Sequence, residues 1–247
     1  MKFVILCEGS DDLWFIAYFL HKSCEWVIDK NKDAWKNYEV PLENRQEAQY
    51  IYNNGNRNSG IVISVGGQDR LEAKIRDIIK INDTFPQDPI NAIIIFRDCD
   101  DRNQEYLANS MSTWFGNAVN LKNNTVSVIS KEIDETDVSM SILPVVIPFD
   151  EQGAVETLLL QSIENKSNDG KYIADHAREY IDAAKLQVRE YLLFDRLVTK
   201  AKLSAAVAIT NPDHSTKLFG ELMNGADWEK SPQIQKHFEE IVKLISK

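Results

Sequence analysis

Residues 2–12 read KFVILCEGSDD, and residues 91–101 read NAIIIFRDCDD. Each holds a short apolar run that stops abruptly at acid. The run 3–7 ends in Glu8-Gly9, and the run 92–96 ends in Asp98-Cys99-Asp100-Asp101. An unbroken apolar run of this length, bounded by turn residues, reads as a strand buried on both faces. After the first run, Leu13, Ile16, Ala17 and Leu20 recur at helical spacing, which predicts a helix over 11–22 with Ser10 or Asp11 as its N-cap. Strand, acid, glycine turn and helix, in that order, make the βα unit of a parallel sheet. Open α/β sheets bind their ligands at the carboxyl ends of such strands. Both acidic clusters are therefore expected at that edge.

The same pattern extends outward. Residues 61–65 read as another buried strand, closed by Gly66-Gly67 and followed by a helix over 70–81 that repeats Leu71, Ile75, Ile78 and Ile79. The glycine pair reads as a plain strand-to-helix turn, though such a turn can also let backbone approach a phosphate. Strands are expected at 125–129 and 142–147, and helices over 102–115 and 154–163, with Glu156 in the first turns of the latter. Residues 23–60 carry Trp26, Trp35, Tyr38, Tyr50 and Tyr52 and end in NNGNRNSG. They read as an insertion with a short helix near 43–52. Its aromatics are expected to form its own small core rather than a platform for bases. From residue 170 onward only helical patterns appear, over 172–184, 190–208 and 234–246, with a loop-rich stretch between the last two. The expected architecture is an α/β core, Rossmann-like with a mostly parallel sheet and flanking helices, over 1–165 with the insertion 23–60. A helical C-terminal region, 166–247, follows, packed on the core.

The 247 residues suffice for a substantial core. No apolar run approaches the roughly 18 residues of a membrane span, and the opening stretch is too short for a signal segment, so a cytoplasmic location is expected. The three cysteines, Cys7, Cys24 and Cys99, are odd in number and lack metal-type spacing, which suits structural thiols in a reducing compartment. The four histidines form no paired motif. A net charge of −10 argues against holding nucleic acid through a broad basic face. It leaves room for a local basic patch, a metal-bridged contact or a basic partner.

Carboxylates gathered at neighbouring strand ends repel one another unless a positive charge sits among them. Oxygen-only ligands favour a hard cation, Mg²⁺ or Mn²⁺. The spacing Asp98-x-Asp100 directs two side chains from one turn toward one place. Asp11 and Asp101 read as helix caps.

A strand ending in Glu-Gly and a later strand ending in Asp-x-Asp resemble the TOPRIM domain of topoisomerases, bacterial primases and OLD-family nucleases. VILCEGSDDLWFIAYFL resembles the OLD-type opening, with Glu8, Gly9 and an acid at Asp12 ahead of an apolar helix. IIIFRDCDD resembles the Asp-x-Asp strand, and PFDEQGAVETLLL resembles the segment in which a glutamate, here Glu156, opens a helix. The stretch VTKAKLSAAVAITNPDHSTKLFGELMNGADW is similar to the C-terminal part of stand-alone bacterial TOPRIM-like proteins, where Lys200 or Lys202 would match a basic site residue. The core resemblance covers roughly 2–163. It implies metal-dependent phosphodiester hydrolysis, with Glu8, Asp12, Asp98, Asp100 and Glu156 around Mg²⁺ or Mn²⁺ and Lys200 or Lys202 offsetting negative charge.

No G-x-x-x-x-G-K-[ST] segment is present, so any ATPase would be a separate partner chain. Neither topoisomerase gate domains nor a zinc module appears. A phosphoacceptor receiver domain also places acids after its first and third strands. It requires a lysine after the fifth, and none follows 142–147 closely. The remaining alternative is a non-catalytic TOPRIM-like module that regulates or docks a separate ATPase.

Overall fold

The computed structural model describes residues 1–29, 35, 47–55, 58–116, 119–188 and 190–246. In chain order the elements are β1 (Lys2–Cys7), α1 (Ser10–Cys24), β2 (Val27–Ile28), β3 (Ala48–Asn53), β4 (Ser59–Ser64), α2 (Leu71–Thr84), β5 (Ala92–Asp98), α3 (Gln104–Ser110), β6 (Ser127–Ile133), β7 (Thr136–Ile147), α4 (Val155–Lys166), α5 (Asn168–Gln187), α6 (Asp195–Thr210), α7 (Phe219–Met223) and α8 (Pro232–Ile245).

The protein is α/β, with one seven-stranded sheet in the order β2-β3-β4-β1-β5-β7-β6 and a helical C-terminal region. Its centre is parallel. β1 pairs with β4, Cys7 opposite Ser64, and with β5, Cys7 opposite Phe96. The β2–β3, β3–β4 and β6–β7 pairs are antiparallel. Phe3 to Cys7 and Ala92 to Phe96 are fully buried, as uninterrupted apolar strands require.

The chain forms two compact units. One comprises Met1–Arg97, Asn103–Val146 and Glu239–Lys247; the other comprises Asp98–Arg102 and Ile147–Phe238. These divisions fall elsewhere than the 165/166 boundary drawn from sequence. Helix α4 groups with the later helices because α4, α5 and α6 pack on one another, with Leu158, Leu159, Ala177 and Leu203 buried.

In the first unit Phe15 of α1 meets Phe96 of β5 at 6.2 Å between ring centres. Trp26 lies edge-on to Phe3 at 4.9 Å. Trp26, Trp35 and Tyr52 are buried, so these aromatics of the insertion are core; Tyr38 lies outside the described residues. The short helix expected near 43–52 is not found where the chain is described. Residues 43–46 lie outside the described residues, and Ala48–Asn53 is strand β3, pairing Tyr52 with Gly60. Its Tyr-Ile-Tyr run favours a pleated, half-buried surface. Helix α6 starts at Asp195 rather than 190. Helix α1 is capped by Gly9 rather than Ser10 or Asp11.

Candidate functional site

In the first unit the site begins where β1 stops. Two backbone bonds hold that end: Val65 N–H donates to Cys7 O at 2.9 Å, and Gly67 N–H donates to Glu8 O at 3.0 Å. Gly66 and Gly67 both have positive φ, which is why the turn after β4 is built of glycine. The Glu8 carboxylate lies 3.1 Å from Arg97 Nε, and the arginine side chain is almost fully buried. The Nε–H and Oε1 are close but not aligned as a hydrogen bond. Arg97 is held from its other end, where Nη2 donates to Gln68 Oε1 at 2.8 Å. Asp12 turns back on the helix start, and its Oδ2 accepts Gly9 N–H at 2.9 Å. In this unit Asp12 therefore acts as a helix cap.

In the second unit the Asp98–Arg102 turn is clamped to the segment before α4. Cys99 N–H donates to Ile147 O at 2.7 Å, and Asp100 N–H donates to Gly153 O at 2.8 Å. Asp100 has φ of 52°, a left-handed conformation that aspartate tolerates better than most residues. Burial pushes the Cys99 thiol up to about 11, so it is an inert structural thiol. Gly153 has φ of 144°, and a Cβ there would sit 2.1 Å from Thr157 Oγ1. Only glycine fits that position.

The clamp delivers the Asp98 carboxylate to the start of α4, where Oδ1 accepts Val155 N–H at 3.1 Å. The next residue is Glu156, buried at its side chain, whose Oε1 takes Lys200 Nζ at 2.8 Å. Negative charge belongs at a helix N-terminus, where unpaired amides and the helix dipole favour it. Asp98, Glu156 and Lys200, drawn from a strand end and two helices, thus converge on one helix start. Lys202 does not join them; it pairs with Asp182 of α5 at 2.7 Å. Asp100 enters the clamp through its backbone. Among the described residues no three of His, Cys, Asp and Glu form a group able to hold a metal ion.

Two features escaped the sequence reading. Arg97 was visible as the one cation of the buried strand AIIIFRD, a signal for a buried ion pair. A cavity of about 150 Å³ beside Glu156 and Lys200, reaching His214, Lys217 and Phe219, lies in the stretch read as loop.

A profile of the family described as "Protein of unknown function (DUF3226)" matches residues 2–245. The chain belongs to the DUF3226 family. No curated protein matches this DUF3226 member. Among solved structures it is similar to a hypothetical protein from Pyrococcus horikoshii OT3, at 14% identity and a TM-score of 0.52, over 100% of this chain and 95% of that one. At that identity the likeness extends to the fold.

Proposed function

We propose that this protein is a metal-dependent phosphodiester-cleaving nuclease, or the nuclease subunit of an assembly, built on a TOPRIM-like core. The observation that carries the reading is the convergence of Asp98, Glu156 and Lys200 at the start of α4. The Asp-x-Asp strand end and the helix-opening glutamate are the elements the TOPRIM resemblance singles out.

The donors are carboxylate oxygens, which suit Mg²⁺ or Mn²⁺. They come in ones and twos, and no described group of three makes a closed cage. Magnesium commonly takes one or two protein carboxylates and completes its shell with water and substrate phosphate. The donor set fits a site that substrate completes. Asp98 and Glu156 would hold the ion, whose chemistry when bound is to activate water and offset charge on the attacking and leaving oxygens. Lys200 holds its ammonium where charge building on a phosphoryl oxygen can be met. Val155 N–H fixes one oxygen of Asp98 and so its orientation. In the other unit Arg97 fixes and neutralises Glu8, the residue that the resemblance assigns to the first strand.

A second reading, a non-catalytic module that docks a separate ATPase, draws on the pairing of Glu8 with Arg97 and Glu156 with Lys200. Each acid is already matched by a cation of the chain itself.

The test is cleavage of supercoiled plasmid, single-stranded DNA and RNA with Mg²⁺ or Mn²⁺, comparing wild type with Glu8→Gln, Asp98→Asn and Glu156→Gln. The nuclease reading expects metal-dependent cutting that Asp98→Asn and Glu156→Gln abolish. Cutting that survives both substitutions overturns the site. No cutting on any substrate, with or without an ATPase partner, favours the docking module.

A further inference from the structure

Within the second unit, the segment from β7 to α4 is tied on two sides. On one side it holds the Asp98–Arg102 turn. Ile147 O accepts Cys99 N–H, Gly153 O accepts Asp100 N–H, and Gln152 Nε2 donates to Asp101 O at 2.6 Å. On the other side it is tied to α8. Phe149 N–H donates to His237 Nε2 at 2.9 Å, and the two rings lie 4.0 Å apart between centres. His237 is 2% exposed, and its Nδ1–H donates to Gln233 O within the helix, so both ring nitrogens are committed. That pattern requires the neutral tautomer with a lone pair on Nε2. A proton on Nε2 turns the acceptor into a donor and sets it against the Phe149 N–H, so the bond gives way to two opposed donors.

The charged groups that act on the ring come from both elements. Burial lowers its pKa below 6.5 and the Gln233 carbonyl opposes that shift; Lys236 of α8 adds to it, and Asp150 of the segment opposes it. Lys236 and Asp150 pair with each other on the surface at 2.7 Å. Glu151, the next acid of the segment, is turned to Gln161 of α4. The Cys99 thiol, on the turn that the segment holds, is pushed up to about 11 and stays protonated from pH 8 to 5.

We propose that His237 is a pH-sensitive latch on the segment 147–153: protonation of its ring releases Phe149, and the freed segment loosens its backbone clamp on the Asp98–Arg102 turn. The direction follows from linkage. The docked segment needs a neutral ring, whereas release returns the ring to its ordinary value of 6.5. Each step of pH below that value favours release, by at most about thirtyfold at pH 5. Asp98 reaches Val155 N–H from that same turn, so its carboxylate loses its fixed place when the clamp opens. The latch rests on the nuclease reading only in making Asp98 a working residue of the site.

The test is hydrogen-exchange mass spectrometry of the full-length chain from pH 8 to 5, for wild type and His237→Gln, with the intrinsic pH dependence of amide exchange divided out. In wild type, peptides covering 98–102 and 147–155 should lose protection by about fivefold to thirtyfold at pH 5, while the middle of α5, 174–181, keeps its own. His237→Gln, its folding checked by circular dichroism, should show no such pH dependence. Wild type decides the matter alone if that variant does not fold. Protection at 98–102 that is unchanged between pH 8 and 5, or that is lost equally in α5, overturns the latch. The same loss in a folded His237→Gln overturns it too. Plasmid cleavage followed in parallel separates the two readings. A clamp that opens at low pH with no cleavage at any pH removes the nuclease reading and leaves the latch, whereas cleavage with a clamp that never opens removes the latch.

Discussion

Lys200 Nζ sits 2.8 Å from Glu156 Oε1, joining the middle of α6 to the first turn of α4. The glutamate side chain is 8% exposed and the lysine 41% exposed, so removing the lysine strands a mostly buried anion. Lys200→Met should therefore destabilise the protein by about 2 kcal/mol, below the cost of breaking a fully buried pair because solvent screens the lysine. The double variant Lys200→Met with Glu156→Gln should regain most of that loss. Urea unfolding of the two singles and the double checks this coupling.

Asp98 has a structural duty distinct from any chemistry, the acceptance of Val155 N–H. Asparagine keeps an oxygen acceptor at that position and alanine does not. Asp98→Asn should stay within about 0.5 kcal/mol of wild type, and Asp98→Ala should lose about 1 to 2 kcal/mol. Denaturation midpoints of the two variants, set beside their cleavage rates, separate the cap from the catalyst.

Gly153→Ala places a methyl group against Thr157 Oγ1 and forces a left-handed backbone on an L-residue. The expected cost is about 2 to 4 kcal/mol. Because Gly153 O accepts Asp100 N–H, the variant should also raise hydrogen exchange at the Asp100 amide, which exchange mass spectrometry of the 98–102 segment would register.

His237 is buried, and its Nε2 accepts Phe149 N–H at 2.9 Å while Nδ1 contacts Gln233 O. Nε2 must be unprotonated to accept, so the ring is neutral in the folded chain. Burial lowers its pKa below 6.5, the carbonyl of Gln233 opposes the shift, and Lys236 and Asp150 nearby act in opposite directions. Above about 6.5 both folded and unfolded chains hold it neutral. Below that, the unfolded chain takes up a proton that the folded chain resists, so its contribution to stability falls as pH drops and levels off beneath the folded pKa. Urea midpoints from pH 8 to 5 should fall more steeply for wild type than for His237→Gln.

The central strands were legible because burial on both faces leaves an unmistakable apolar run, as in Ile93 to Phe96. Glu156 was legible because it opens a helix directly after a turn. Strand β3 was not, since Glu47 just before it and Gln49 within it leave only the short Tyr-Ile-Tyr run as a signal. The polar strand β6, SVISKEI, carries little apolar signal because most of it is exposed. Lys200 and Lys202 looked equivalent in sequence. A two-residue step turns a helix by about 200°, which sends one lysine to Glu156 and the other to Asp182. The Arg97 partnership crosses between strand neighbours that lie 89 residues apart, beyond any local pattern.

The parallel pairing of β1 bears on how the chain is made. The strand at the centre of the sheet is synthesised first, yet its partners follow 57 and 89 residues later. At about 5 to 20 residues per second, a nascent chain carries an unpaired strand, apolar from Phe3 to Cys7, for on the order of ten seconds. That interval, rather than the stability of the finished fold, is when the protein is most exposed to aggregation and most dependent on whatever shields its first strand at the ribosome.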